Sequence, residues 1–220
     1  MKSIQASMDN WFVRHVGGLK TAIRIVFGLV WGIDGALKFQ PGVAQALPGM
    51  ISDAAQGQPD WLAPWFGFWS QTVSANPALF STTIGLLELA LAFALLAGFL
   101  RKVAYTGGIL LSLVIWSVPE GFGGPYGPSS TDIGTGIIYA FVFLLLLIVN
   151  ATFGPSRFSL DYVIERQWPA WTRLAEIRDE LALVVWPPRE ARRQQLAGGT
   201  IKSPVLIATF ETDENDGSAK

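Results

Sequence analysis

The sequence predicts an all-α protein: a four-helix transmembrane bundle with a long extracytoplasmic loop and a cytoplasmic amphipathic helical tail. Composition, four apolar runs and the placement of basic residues carry that prediction. Of 220 residues, 50% are hydrophobic and only 15% charged, against roughly a quarter charged in a soluble domain. Such a chain belongs in a bilayer. A helix crosses the hydrocarbon in roughly 20 mainly apolar residues. Four runs qualify: residues 19–39, 79–100, 103–118 and 133–153.

The first run is interrupted by Arg24 and Asp34, and the second carries one acid, Glu88. The third is short, but Pro119 closes it and Arg101 and Lys102 can snorkel at its start. The fourth is densest over 141–149. Lys2, Arg14 and Lys20 precede or open the first run, Arg101 and Lys102 join the second to the third, and Arg157, Arg166 and Arg173 follow the fourth. The loops 40–78 and 119–132 contain neither Lys nor Arg. By the positive-inside rule both ends of the chain are cytoplasmic and those two loops face outside, in a multi-pass protein of the cell membrane. Residues 1–18 then form a cytoplasmic segment too polar for a signal peptide. Residues 19–153 form the membrane domain and 154–220 a cytoplasmic tail.

Loop 40–78 is too long to lack structure of its own, so short helices are expected in it. Its Trp61, Trp65, Phe66, Phe68 and Trp69 suit either an interfacial anchor or a lid over a lipid-soluble ligand. In the tail, "FSLDYVIERQWPAWTRLAEIRDELALVVW" has helical spacing that breaks near Pro169. It reads as two amphipathic helices on the inner surface. Pro187 and Pro188 end that region, and the acidic, polar residues from about Glu211 onward read as disordered.

Several function classes are excluded. A net charge of −1 gives no basic field for nucleic acid. There is no Cys and one histidine, His15, so no metal or haem site is evident. The glycine-rich stretch "EGFGGPYGPSSTDIGTG" lacks the G-K-[ST] ending of a phosphate loop and is expected outside, away from nucleotides. Ser129, Ser130 or Thr131 could cap the helix that follows, and free amides there could hold an oxyanion.

Charges inside hydrocarbon cost several kcal/mol, by contested estimates of roughly that size, and so usually have a partner and a role. Asp34 and Lys38 are four residues apart and share one helical face. Glu88 lies about 13 Å below the outer end of its span, at 1.5 Å per residue. It has no base within a turn, and an isolated carboxyl at that depth suits a proton carrier. Glu120 closes the third span and Asp132 opens the fourth. Five ionisable groups thus converge on the outer half of the bundle, with Tyr126 in the loop between the last two. A purely structural reading remains open: an Asp34–Lys38 pair, and Asp132 as a helix cap. Gly28 and Gly32, four apart, form a small-residue pattern for close helix packing.

"GLVWGIDGALKF", "GLLELALAFALLAGFLRK" and "EGFGGPYGPSSTDIGTGIIYAF" together resemble the DoxX superfamily. The likeness is closest to its DoxD branch, the small membrane subunit of thiosulfate:quinone oxidoreductase, and it covers about residues 19–153. The third segment, with Glu120, Gly124, Pro125, Tyr126, Asp132 and Gly134, is the most specific. The resemblance implies oxidation of a reduced sulfur compound, thiosulfate to tetrathionate, with electrons passed to quinone. It also implies a second subunit of DoxA type. Quinone reduction takes two electrons and two protons. The expected catalytic groups are Glu88, Asp34, Glu120 and Asp132. The expected substrate-binding residues are Lys38, Tyr126, Gly124, Trp31, Trp65 and Trp69, with Phe39, Trp116 and Tyr139 as further aromatic walls. The alternative is a non-catalytic scaffold or transport component, whose charges would be paired, whereas an enzyme needs an open cavity.

Overall fold

A computed structural model describes residues 2–126, 132–154 and 156–177. The loop residues Gly127, Ser129, Ser130 and Thr131, and the tail from 178 with Pro187, Pro188 and Glu211, lie outside the described residues. Among the described residues all regular structure is helical. Helix α1 is Lys2–Leu37, α2 Val43–Ala55, α3 Ala63–Ala75, α4 Pro77–Ala97, α5 Arg101–Ser117, α6 Thr135–Phe153, α7 Leu160–Gln167 and α8 Thr172–Ala175. Short 3-10 turns stand at Asp60–Leu62, Gly121–Gly123 and Pro169–Trp171.

Three helices are long and apolar enough to cross a membrane: residues His15–Leu37 of α1, all of α4 and all of α6. Helix α5 has 17 residues, about 25 Å at 1.5 Å per residue. Leu19, Ile23, Val26, Leu29 and Ile33 of α1 are exposed, as are Leu86, Leu87 and Phe93 of α4 and Ile138, Phe141, Leu145 and Ile148 of α6. Monomers in water rarely expose apolar patches of that extent; hydrocarbon is their natural solvent. Helix α1 runs unbroken from Lys2 through residue 18, and its apolar span begins at His15. The last span starts at Thr135 instead of 133, after Gly134 as N-cap.

The long helices pack chiefly as two pairs, α1 with α4 and α5 with α6, joined through α1–α6 and α4–α5 contacts. Between the pairs lies a core of Phe27, Trp31, Leu91, Leu95, Tyr105, Phe143 and their neighbours. Glycines set the spacing within each pair. A methyl group at Gly28 would stand 3.0 Å from Leu95 Cβ, at Gly32 3.6 Å from Ala92 Cβ, and at Gly35 3.0 Å from Glu88 Cβ. The expected small-residue face is therefore real and runs one turn further, to Gly35.

The loop after α1 holds α2 and α3, the short helices that its length required. They enclose a second core of Ile51, Leu62, Phe66, Val73 and Val118. At the opposite end of the bundle, Gly98 turns the chain out of α4 with φ 65°, and its amide donates to the Ala94 and Leu95 carbonyls. Only glycine fits there: besides the left-handed backbone, a Cβ would lie 1.8 Å from an Arg24 guanidinium nitrogen.

Gly136 of α6 tests the spacing of the second pair. Its missing Cβ would fall 2.7 Å from the Ser112 carbonyl oxygen, which is backbone and cannot swing aside. Gly136→Ala should separate α5 from α6 and lower stability by about 1–3 kcal/mol. Gly107→Ala, on the exposed side of α5 with nothing within 4 Å, should be neutral or gain up to about 1 kcal/mol. Thermal unfolding of the two purified variants in one detergent checks the contrast.

Candidate functional site

Where α1 ends, Lys38 sits between two acids. Its ammonium is 3.0 Å from Asp34 Oδ1 and 3.2 Å from Glu88 Oε2. The Asp34 contact follows from the i, i+4 spacing. The Glu88 contact depends on the glycine seam, because Gly35 lies against Glu88 and Gly85 of α4 lies against Lys38 and Phe39. Ser81 of α4 also donates to the Lys38 carbonyl at 2.9 Å. Glu88 is 0% exposed. Lys38 is the ion-pair partner of Glu88 Oε2, while Glu88 Oε1 has no hydrogen-bond partner among the described residues.

A cleft of about 350 Å³ opens between α1, α5 and α6. Asp34 and Glu120 face it together, with Ser112, Tyr139 and the apolar Ile33 and Leu37 on its walls. Ser112 is fully buried and its hydroxyl has no hydrogen-bond partner among the described residues. A second cleft of about 360 Å³, between α2 and α3, has Asp60 as the one ionisable side chain on its wall. Two carboxyl groups and an unpaired hydroxyl make the first cleft the candidate site.

Glu120 does two things. It faces the cleft, and its Oε2 accepts a 2.8 Å hydrogen bond from the Gly136 amide in the first turn of α6. A carboxylate at a helix start answers unpaired amides and the positive end of the dipole. The expected oxyanion position at that helix is therefore already taken by the chain's own acid. Asp132 accepts from the Gly134 amide at 2.7 Å, a local turn before the helix, and it does not line the cleft.

The remaining expected residues divide. Trp31 is a core side chain, 1% exposed and ringed by Phe27, Tyr139 and Phe143; it packs the bundle and does not line the cleft. Tyr126 is exposed, and its hydroxyl donates to the carbonyl of Phe122 in its own loop. Gly124 lies against Tyr126 and Gln58. Trp65 donates to the Ser117 carbonyl at 3.1 Å and stacks with Trp69 and Phe122. Phe66 and Trp69 thus fold back onto the bundle and Trp65 is tied to it by its indole N–H, while Trp61 and Phe68 remain the more exposed. They buttress the loop after α5 and do not stand on the wall of the Asp34–Glu120 cleft. Ser112 was missed because a lone serine in an apolar helix carries no pattern. Among the described residues no group of His, Cys, Asp or Glu could hold a metal ion.

The opposite end of the bundle holds a cluster that the spacing of the sequence did not announce. Asp161, at the start of α7, is 0% exposed and accepts from the Leu100 amide at 2.8 Å, the Arg101 amide at 3.0 Å, Arg101 Nε at 2.9 Å and Trp171 Nε1 at 2.9 Å. It supplies the acid that the first turn of α5 lacks. It also holds Leu100 in a left-handed conformation, φ 49°. Of the tail stretch expected to form two amphipathic helices, residues 178–186 lie outside the described residues, and the described part forms two short helices around Pro169. Helix α7 has 8 residues and α8 has 4, and α7 docks into the α4–α5 turn through one carboxylate.

Arg101 also reaches Glu165 at 3.0 Å and Glu176 at 3.3 Å. One guanidinium cannot neutralise three carboxylates. Burial, then the charge of Glu176, pushes the Glu165 carboxyl up to about 7 against the pull of Arg101, with Asp161 adding to the rise. A carboxyl raised in the folded state stabilises fully below its ordinary 4.5, and that contribution is lost as pH rises through about 7. The melting temperature should fall between about pH 5 and pH 8, by an amount on the order of 2 kcal/mol in stability. Glu165→Gln should flatten the profile; an unchanged slope in that variant would assign the pH dependence elsewhere.

No family model, no curated protein and no solved structure matches the chain.

Proposed function

We propose that the chain is a quinone-linked membrane oxidoreductase, or the membrane subunit of one, resembling the DoxD component of thiosulfate:quinone oxidoreductase. The observation that carries this reading is the cleft where Asp34 and Glu120 face apolar walls. A quinone ring needs such walls, and its two oxygens need proton donors. In the reaction two thiosulfates join through a new S–S bond to give tetrathionate and release two electrons. The quinone takes those two electrons and two protons and leaves as quinol. Asp34 takes up a proton from water and passes it on to the ring oxygen in the cleft. Lys38, in contact with both Asp34 and Glu88, couples the cleft to the buried carboxyl behind it, so Glu88 acts through Asp34. Glu120 faces the second oxygen. The electrons pass directly between substrates or through a DoxA-type partner subunit.

In this reading α5 is the fourth span, both ends of the chain are cytoplasmic, and the Asp34–Glu120 cleft faces the outer half of the membrane. The base-free loops support that orientation. Cysteine placed at Ser74 should react with an impermeant thiol reagent on intact cells, and cysteine at Ser203 should not. Reversed labelling would turn the bundle over.

The second reading, a scaffold or transport component, also has an observation behind it. Lys38 pairs with both acids, and Glu120 caps α6. Activity decides between them. Purified protein in lipid nanodiscs, alone and with a DoxA-type partner, should reduce a soluble quinone when thiosulfate is added. Asp34→Asn and Glu120→Gln should cut turnover by about 10²-fold or more, the usual weight of a positioned acid or base. The Glu120→Gln amide oxygen can still accept from Gly136, so α6 stays capped. Full activity in both variants would make packing the better account of these charges.

A further inference from the structure

At the Arg101 end, a small cavity lies between α1, α5 and α6. Its volume of about 10 Å³ is room for one water-sized species. Lys20, Arg24, Arg101, Tyr105 and Asn150 face it, and no acid is on its wall. Arg24, Arg101 and Asn150 are 3%, 2% and 4% exposed. Each has a nitrogen with no hydrogen-bond partner among the described residues: Arg24 Nε, Arg101 Nη1 and Asn150 Nδ2.

The hydroxyls of Thr21 and Ser156 bond to each other and do not serve these donors. Thr21 donates to the Gly17 carbonyl at 2.8 Å, so in its 2.7 Å contact with Ser156 the serine is the donor. Ser156 Oγ then accepts from the Phe158 amide at 3.2 Å. The cations differ in their partners. Arg101 faces Asp161, Glu165 and Glu176, which stand outside the cavity wall. Lys20 and Arg24 bond only to backbone, the carbonyls of Gly154 and Phe158.

We propose that this cavity binds one small monoatomic anion, chloride in ordinary conditions. A water molecule accepts two hydrogen bonds and must place its own two protons. Here three residues with an unpartnered donor, two of them cations, share one wall with a third cation, Lys20, and guanidinium and ammonium groups accept nothing. A chloride ion accepts from all of them and needs no acceptor in return. Phosphate and sulfate are too large for the volume. The ion would tie α1 to α5 and α6 at the end opposite the Asp34–Glu120 cleft, and its presence does not depend on the activity assigned to that cleft.

The test is thermal unfolding of the purified, full-length protein in detergent, after dialysis into sodium gluconate. Sodium chloride is exchanged for gluconate at constant ionic strength. The melting temperature should rise saturably, by roughly 5 °C once chloride reaches about 100 times Kd. Bromide should act similarly. Asn150→Leu, which keeps the volume, and Arg24→Gln should each abolish the rise. Equal melting in chloride and gluconate at every concentration overturns the site, and a rise that persists in both variants overturns its location. Should the variants fail to fold, crystals of the unaltered protein grown in bromide decide. An anomalous peak among Arg24, Arg101 and Asn150 supports the site, and its absence there rejects it.

Discussion

Helix α1 lies against α4 along Gly28, Gly32 and Gly35, and this close approach is what makes the charged end of the bundle possible. Lys38 reaches Glu88 only because Gly35 and Gly85 leave no side chains between the two backbones. With a larger residue at either position the helices would part, and a fully buried carboxylate would lose the cation beside it. Removing one partner of a buried pair costs about 3–5 kcal/mol. The glycines therefore stabilise the structure less through their own contacts than through the charge geometry they permit.

The two ends of the bundle treat charge in opposite ways. Around Lys38 a single cation holds Asp34 and Glu88, and Glu120 is compensated by a helix start. Around Arg101 the acids Asp161, Glu165 and Glu176 crowd one guanidinium, while Lys20 and Arg24 bond to the backbone oxygens of Gly154 and Phe158. Neither end is a simple set of matched pairs. Unpartnered atoms remain at both, on Glu88 and Ser112 at one and on Arg24, Arg101 and Asn150 at the other. Buried polar atoms without partners are rare in folded proteins, and their concentration beside the two cavities is why both cavities are read as sites.

Sequence patterns reveal what is local. Apolar runs locate α4 and α6 within a few residues, loop length announces α2 and α3, and the four-residue spacing gives the Asp34–Lys38 pair. Lys38 is legible as the compensating charge for Glu88 once both are placed in the same half of the bundle. What stays hidden depends on partners far apart in the chain. Trp31 looks like an aromatic wall until Phe27, Tyr139 and Phe143 surround it. Asp132 looks like the helix cap because it is adjacent, yet Glu120, 16 residues before Gly136, makes that bond. The amphipathic spacing of the tail gives no hint that Asp161 bonds to Leu100 and Arg101, because those partners lie about 60 residues away in the chain.

Asp161 accepts from Arg101 across 60 residues of sequence. During synthesis α5 is made before that aspartate. Until α7 emerges, the first turn of α5 has no acid of its own, and Arg101 lacks all three of its carboxylates. A chain ended between Phe153 and Asp161 would leave the ribosome with every apolar run in place and the α4–α5 turn unfinished, which is the kind of defect that cellular quality control can recognise.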